Sequence, residues 1–384
     1  MADETAAAHK VLDSNNQFTV NLYNVLVGSS PGNIIFSPIS IHAVLSMAYQ
    51  GARGTTAEKF ASTLNVPETK VAREGYSVVM NRLNFLSDVT LLMANRVYLM
   101  KGCKLLPDFS EALTKNFQSD VQLLNFCNQE AAASTINTWV EEKTKEKIKN
   151  LVNKNDLNVD TRLVLVNAIY FKARWREVFD KEATKTDPFY LNDADSVNVQ
   201  MMHIKKKFYY KGMKELEAQI LEMPYTNGNL SMVIILPSKR NAIAELEKKL
   251  STVNLAEITN KMWHIKVTVA LPKFKIEQTI DLEDSLTKLG LGEIFDQSAA
   301  NFTGMITSKE PLHVSKVIQK AFIEVNEEGS EAAAATEMII ERKCHVKGPD
   351  IFFIADHPFV LMLLEKSEGK PNILFAGKIM NPQL

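Results

Sequence analysis

Three nearly continuous apolar runs constrain the fold of this chain more than any other feature. They are VTLLMANRVYLM at Val89 to Met100, TRLVLVNAIYFKA at Thr161 to Ala173, and the run from Val314 to Val325. A strand that is apolar on both faces lies in the interior of a sheet that is covered on both sides. We therefore predict a central sheet between two layers, in which the amide of Asn167 must find buried partners.

The segments around these runs predict helices and a second layer of strands. Ser37-Pro38 places a cap and a first-turn proline before a helix, and an amphipathic helix is predicted over roughly Gln129 to Val152. Asn227-Gly228 between two apolar segments is a strong hairpin signal. Lys266 to Ile276 is predicted as one further strand. The fold class is α+β, with one large sheet and at least one more β layer.

Composition is typical of a globular protein and excludes several function classes. The chain has 384 residues, of which 46% are hydrophobic and 23% are charged. No linker, charge block or repeat divides it, so we predict a single domain over residues 1–384. A net charge of −1 argues against binding to nucleic acid or to an anionic membrane through bulk charge. No apolar run reaches the length of a membrane span.

The stretch from Glu327 to Lys347, EEGSEAAAATEMIIERKCHVK, directly follows the third apolar run. It is long for a connection inside a compact domain, and such connections are usually functional. Gly329 supplies a hinge with free backbone angles. With period two, small and then apolar residues share one face while carboxylates mark the other, which is typical of a half-buried strand. The alanines favour a surface helix equally well on local propensity. The small residues on the first face are Ser330, Ala332, Ala334 and Thr336, and Ala333 and Ala335 lie on the second.

Motifs that could carry catalysis are weak. Gly28 to Gly32 matches G-x-S-x-G, but a helix precedes the serine and a strand follows, which reverses the order that a nucleophile elbow needs. Lys205-Lys206-Lys207 beside Phe208, Tyr209 and Tyr210 resembles a basic-aromatic patch, and at this net charge we interpret it as a solvated strand face. No metal-ligand spacing joins the histidines. They are His9, His42, His203, His264, His313, His345 and His357.

Cysteines and the polar N-terminus bear on the compartment. Cys103, Cys127 and Cys344 are odd in number and not in metal spacing, so they imply no disulfide framework. MADETAAAHK is not a signal peptide. These residues leave the compartment open: the chain is either cytoplasmic or a mature form whose signal peptide has been removed.

Five blocks of sequence, in order, carry a resemblance to the serpin family of serine protease inhibitors. The resemblance covers nearly all of the chain, and the overall impression is most like the secreted insect members. It implies an extracellular protein in its mature form, with a cytoplasmic location as the alternative. It implies the serpin fold, with a large central, mostly antiparallel sheet, further β layers, about eight to nine helices and an exposed reactive-centre loop at about 327–347. The blocks are NIIFSPISIHAVLSMAYQGARGTTAEKF, INTWVEEKTKEKIKNLV, LVLVNAIYFKARW, VNEEGSEAAAAT and ADHPFVLMLLEKSEGKPNILFAGKIMNP.

The resemblance implies that the loop is bait for a protease and that the chain is no enzyme. The protease serine attacks the bait bond, and the cleaved loop inserts as a new central strand that traps the acyl-enzyme. The family's spacing from Gly329 places the bait bond at Lys343–Cys344, with Arg342 as the rival residue. A lysine there suits a trypsin-like protease, whose specificity pocket holds an aspartate. The alternative is a non-inhibitory serpin that acts as a carrier or storage protein.

The resemblance also assigns residues that control insertion. Ser37, Pro38, Ser40 and Asn167 match a polar cluster beneath the region where the sheet opens, and Gln319 stands where the family often has a histidine. We therefore expect no pH dependence of opening through that position. The remaining matches lie at the point where the loop enters the sheet: Trp175, and the pair Glu327 and Lys273.

The expected partners are trypsin-like serine proteases, bound as a covalent 1:1 acyl complex. We expect a monomer without cofactor or metal, and no nucleic-acid or membrane partner. The region from Glu68 to Phe85 lacks the basic cluster by which some relatives bind heparin, so no strong heparin site is expected.

Overall fold

The structure is a computed structural model that describes residues 2–307, 311–329, 350–366 and 370–383. Eight α-helices lie within these ranges, and a π-helical turn at Thr287–Leu291 continues the last of them. None of the described helices is long and apolar enough to cross a membrane. The helices are α1 (Ala2–Ser29), α2 (Pro38–Gly51), α3 (Gly54–Leu64), α4 (Thr69–Asn84), α5 (Pro107–Asn116), α6 (Gln129–Lys143), α7 (Ile243–Leu250) and α8 (Glu283–Leu286).

Fourteen strands in the same ranges form two sheets. The α+β class and the expected number of helices are therefore confirmed. The strands are β1 (Ile34–Phe36), β2 (Val89–Met100), β3 (Val121–Leu124), β4 (Leu163–Ala173), β5 (Lys185–Tyr190), β6 (Ser196–Met213), β7 (Ala218–Pro224), β8 (Leu230–Pro237), β9 (Trp263–Pro272), β10 (Phe274–Asp281), β11 (Val314–Val325), β12 (Ile351–Ile354), β13 (Phe359–Glu365) and β14 (Asn372–Ile379).

The three apolar runs form the middle of a five-stranded sheet with the order β10-β11-β4-β2-β3. Alternate residues of β4 enter two separate apolar clusters. Leu165 and Ile169 pack into the main core beneath the sheet, which includes Ile39 and Ile41 of α2. Val166 and Tyr170 pack with Ile136 and Val140 of α6 on the other side. The prediction of a sheet covered on both faces is confirmed, and the odd-numbered residues of β4 face α2.

The other sheet has nine strands, in the order β1-β14-β13-β8-β7-β6-β9-β12 with β5 paired to β6. Its connection to the first sheet corrects one prediction. Lys266 to Ile276 is not a single strand: β9 ends at Pro272 in the nine-stranded sheet, and β10 begins at Phe274 in the five-stranded sheet. Lys273 is the corner between the sheets, which places its side chain beside the end of the central strands.

Two further boundaries differ from the sequence predictions. Helix α6 ends at Lys143 rather than near Val152. Lys145 and Glu146 adopt positive φ angles of 49° and 61°, which a helix does not allow, so the chain turns there. The Asn227-Gly228 hairpin is confirmed, since β7 and β8 pair in antiparallel register from Ala218 opposite Pro237 to Pro224 opposite Ser231.

Helix α2 is buried along its whole length and carries a titratable side chain in the core. The ring nitrogens of His42 contact the Tyr76 hydroxyl at 2.6 Å and the Leu64 carbonyl at 3.0 Å. Burial lowers the pKa of His42 from 6.5 to about 4, against a smaller opposing effect of the Leu64 carbonyl. The imidazole is therefore neutral in the folded protein at pH 5, whereas in the unfolded chain it is protonated there.

We predict that His42 makes the fold acid-sensitive between pH 6.5 and pH 4. Because the folded pKa is depressed, the unfolded state binds more protons in this window, and the free energy of unfolding falls by up to about 3 kcal/mol as the pH drops. In His42→Gln this dependence should disappear, whereas His264→Gln, a change at an exposed histidine, should retain it. Urea unfolding at pH 7.5, 6.0 and 4.5 measures the difference. If the free energy of unfolding depended on pH equally in wild type and in both variants, the assignment of this dependence to His42 would be contradicted.

Candidate functional site

Strands β4 and β11 lie next to each other at the centre of the five-stranded sheet. They pair in parallel, from Val314 opposite Leu163 to Ile323 opposite Phe171. A strand that reversed direction after β11 would therefore run antiparallel to both of them. A strand placed between them would form an antiparallel ladder with each, once the β4–β11 ladder had opened.

A row of buried amides crosses this pair. Gln319 of β11 lies opposite Asn167 of β4, and Asn167 lies opposite Asn95 of β2. The Gln319 side-chain amide donates to the Oδ1 atom of Asn167, and the Asn167 side-chain amide donates to the Oδ1 atom of Asn95. Asn167 and Gln319 are fully buried, where an unpaired amide would cost about 1–3 kcal/mol. The row therefore holds together three adjacent strands, not only the two that would separate.

The start of α2 binds this amide row from below. Gln319 accepts a hydrogen bond from the Ser37 backbone amide at 2.9 Å and donates to the Ser37 carbonyl at 3.1 Å. Ser40 accepts from the Asn167 amide and donates to Asn95 at 3.0 Å. The structure thus brings together the predicted cluster of Ser37, Ser40, Asn167 and Gln319.

The role expected for Ser37 as a helix cap is wrong. Ser37 occupies the N-cap position and Pro38 begins the helix, but the Ser37 side chain makes no capping bond. Its hydroxyl donates instead to the Leu374 carbonyl of β14 at 2.6 Å. Because Gln319 also binds the Ser37 backbone, the helix start is tied to both sheets in addition to its own first turn, where the Ile41 amide donates to the Ser37 carbonyl at 3.1 Å.

Above the strand pair, Trp175 binds the segment that leaves β11. The Trp175 ring nitrogen donates to the Asn326 carbonyl at 2.9 Å, and its backbone amide donates to the Glu328 carbonyl at 2.9 Å. The ring stacks on Tyr225 with centroids 4.3 Å apart, and both rings are buried. This tryptophan fixes the path of the chain immediately before the loop.

Gly329 closes a tight turn directly over the end of β4. Its amide donates to the Asn326 carbonyl at 3.2 Å, and its φ is +104°, a value that favours glycine. A Cβ on Gly329 would lie 2.3 Å from the Ala173 carbonyl oxygen. Backbone conformation and space therefore both require glycine at this position.

Glu327 and Lys273 form the expected ion pair at 2.9 Å, and the carboxylate also accepts from Thr184 at 2.9 Å. Burial alone would raise the pKa of Glu327, but the hydrogen bonds from Lys273, from its own amide and from Thr184 outweigh it and lower the pKa. The neighbouring pair of Lys181 and Glu328, at 2.5 Å, is more exposed. The turn before the loop is thus held to the corner between the two sheets.

Part of the predicted site lies outside the described residues. This applies to the proposed bait residues Arg342, Lys343 and Cys344, and to the loop positions Ser330, Ala332, Ala333, Ala334, Ala335 and Thr336. Among the described residues, no group of three or more His, Cys, Asp or Glu side chains is arranged to hold a metal ion.

Sequence reasoning missed Asn95, although a signal was present. Each of the three apolar runs carries one amide near its middle, and the strand register aligns all three. Thr184 and Lys181 were missed for another reason. They follow β4 by about ten residues and reach the hinge through tertiary contacts that no local pattern predicts.

Comparison with known proteins agrees with this architecture. The family model described as Serpin (serine protease inhibitor) matches residues 13–382. The leukocyte elastase inhibitor of Bos taurus is 38% identical over 378 residues, which cover 96% of this chain and 98% of that protein.

Two solved structures are similar over nearly the whole chain. Serpin48 of the insect Tenebrio molitor has a TM-score of 0.88 at 33% identity, covering 97% of this chain and 98% of that one. Human thyroxine-binding globulin, solved with its ligand, has a TM-score of 0.88 at 30% identity, covering 98% and 99%. Similarity of this extent in both sequence and fold identifies the family, and the chain belongs to the serpins.

Proposed function

We propose that this serpin inhibits trypsin-like serine proteases by inserting its cleaved reactive-centre loop between β4 and β11. The observation that supports the proposal is the direct parallel pairing of these strands, with Gly329 turning the chain over the end of β4. A chain that reversed direction at this turn would run back along both strands, antiparallel to each. Because β4 and β11 pair directly with each other in this structure, the proposed insertion site is closed.

The chemistry follows from a lysine in the loop. The protease serine oxygen attacks the Lys343 carbonyl carbon and forms an ester, while the amine of Cys344 leaves with a proton. At about 3.3 Å per residue, the segment from Gly329 to Lys343 is about 45–50 Å long when extended. Insertion therefore carries the esterified lysine, and the protease attached to it, along the full length of β4.

Insertion requires the amide row to separate. The bonds from Gln319 to Asn167 and the β4–β11 ladder must break, while the bonds from Asn167 to Asn95 and Ser40 can remain. An inserted strand then makes two antiparallel ladders where one parallel ladder was lost. We infer that the amide row slows opening until cleavage frees the loop.

A carrier role is the second candidate, and the similarity to thyroxine-binding globulin favours it. The loop sequence argues against it, because Ser330, Ala332, Ala334 and Thr336 are small enough to enter a sheet interior. The extracellular location expected from the sequence stays a prediction, because the proteins similar to this chain include a leukocyte inhibitor as well as insect and human serpins.

The bait bond can be identified with trypsin. We predict a covalent complex that survives SDS, and a released C-terminal fragment that begins at Cys344 when analysed by mass. Lys343→Ala should slow association with trypsin by more than about 100-fold, because the charge that enters the specificity pocket is lost, whereas Arg342→Ala should change it only a fewfold. Clean cleavage without a complex would favour the carrier role. If Arg342→Ala slowed association with trypsin more than Lys343→Ala did, the bait bond would follow Arg342 instead.

Side chains on the inserting face should decide between inhibition and turnover. Ser330→Arg is predicted to convert the inhibitor into a substrate that trypsin cleaves at the same bond, because a buried arginine opposes insertion. Glu331→Arg is the matched control on the other face and should leave inhibition intact. The number of inhibitor molecules consumed per trypsin molecule measures both variants. Equal inhibition by the two would show that insertion does not follow the period-two pattern.

The amide row should stabilise the closed sheet. Gln319→Leu leaves the Ser37 amide and the Asn167 carbonyl oxygen without partners, so the free energy of unfolding should fall by about 2–4 kcal/mol. Inhibitory activity should also be lost faster on incubation at 45 °C, as the sheet opens without a protease. Gln200→Leu removes an exposed amide and should behave like wild type in both assays. A Gln319→Leu protein with wild-type stability would refute the role of the row.

A further inference from the structure

The exposed side of strands β6, β9 and β12, at one end of the nine-stranded sheet, carries an unusual set of side chains. In the strand register, Lys205 lies opposite Thr268, Thr268 lies opposite Phe352, and Lys207 lies opposite Lys266, so these residues share one face. Phe208, Val267 and Phe353, on the other face, are buried. We call the outward side the lysine face; it comprises Lys205, Lys207, Lys266, Tyr209, Phe352 and Ile354.

Two lysines on this face are placed unfavourably for folding. Lys207 and Lys266 are directly opposite and both exposed, and like charges in this arrangement destabilise a strand pair. Within the described residues neither has an ion pair, whereas Lys205 binds Asp350 at 2.9 Å. His264 lies in the next row, packed against Tyr209 at 4.8 Å between ring centroids. No ion pair within the described residues offsets the charges of Lys207 and Lys266, whereas an anionic partner would.

Apolar side chains border these lysines. Phe352 is 56% exposed and Ile354 is 37% exposed, both on β12, which ends the sheet. Tyr209 is 36% exposed beside the lysine pair. An aromatic and aliphatic patch beside charged side chains is the composition of a protein-binding surface, with an apolar centre and a polar rim. A ligand that is only a polyanion would make no apolar contact with the side chains of Phe352 and Ile354.

The lysine face lies close to the proposed bait bond along the chain. Ile351, the first residue of β12, follows Lys343 by eight residues, which span at most about 29 Å when fully extended. A small protein domain is itself about 30 Å across. A protease bound at Lys343 is therefore within reach of β12 and the strands beside it.

We propose that the lysine face is a second docking surface for the target protease, which presents an acidic patch and an apolar contact beside its active-site cleft. The proposal rests on the proposed inhibitory function and adds the partner's surface chemistry to it. Lys207 and Lys266 attract and orient the protease before the loop is cut, and Phe352 and Ile354 hold it there. Rim charges of this kind act mainly on the association rate.

The charge contribution is measured with anionic and cationic trypsin, which share the lysine-binding pocket and differ in surface charge. Wild type should associate about tenfold faster with anionic than with cationic trypsin at 0.05 M salt, and the ratio should approach one at 0.5 M, where charges are screened. Lys207→Glu/Lys266→Glu should remove this preference at low salt. Lys59→Glu/Lys154→Glu makes the same change in net charge on two exposed lysines outside the sheet and should retain it.

The apolar contribution is measured as binding to anionic trypsin whose active-site serine is replaced by alanine, so that no acyl bond forms. Phe352→Ser should speed dissociation of this complex by about tenfold, the range typical of a central aromatic contact. Phe85→Ser removes an aromatic side chain that is 83% exposed at the end of α4 and should leave dissociation unchanged.

The outcomes separate this proposal from the proposed function. If all variants form the SDS-stable complex but the lysine-face and control variants associate equally, the docking surface is refuted and the inhibitory function stands. If Lys207→Glu/Lys266→Glu lowers association only when heparin is added, the face binds a sulfated polysaccharide and the proposal is wrong. If wild type forms no SDS-stable complex with either trypsin, both proposals fail.

Discussion

The hydrogen-bonded row from Gln319 through Asn167 to Asn95 is the interaction on which the rest of this structure depends. It crosses three strands in one plane and binds the start of α2 through Ser37 and Ser40. In an apolar sheet interior each of these amides would be costly if unpaired, so the row is stable only when every member is present. The closed sheet is therefore held by side-chain hydrogen bonds of defined geometry at the level of this row, and along the rest of the strands by the backbone ladders and apolar packing.

The hinge uses a different kind of contact. Trp175, Lys273 and Gly329 bind the chain through backbone carbonyls, one ion pair and a close approach to the Ala173 carbonyl oxygen. Lys273 takes part only because the chain passes from the nine-stranded to the five-stranded sheet at that residue. The turn that precedes the loop is thus attached to the same corner that joins the two sheets.

Much of this could be predicted from the sequence, because the central strands are continuous apolar runs whose ends are marked by polar residues. The period of two in β4 even indicates that Asn167 shares a face with Leu165 and Ile169. What sequence cannot supply is register, which alone shows that Asn95 is the third member of the row. The same holds for Lys273, which lies inside one predicted strand because polar and apolar residues alternate from Lys273 to Ile276. It holds also for Ser37, whose hydroxyl reaches β14 rather than its own helix.

Register also limits the energy that the proposed loop insertion could release. Because β4 and β11 already pair over nine positions of β4, opening the sheet gives up that ladder before a new strand forms two. The net gain is about one ladder, together with burial of the apolar side chains of the loop, rather than every hydrogen bond that the inserted strand makes. At about 0.5–1.5 kcal/mol per hydrogen bond the gain is still several kcal/mol. Under the proposed mechanism the intact loop does not realise this gain while the amide row is closed, so the closed state would persist for kinetic reasons until a protease cleaves the loop.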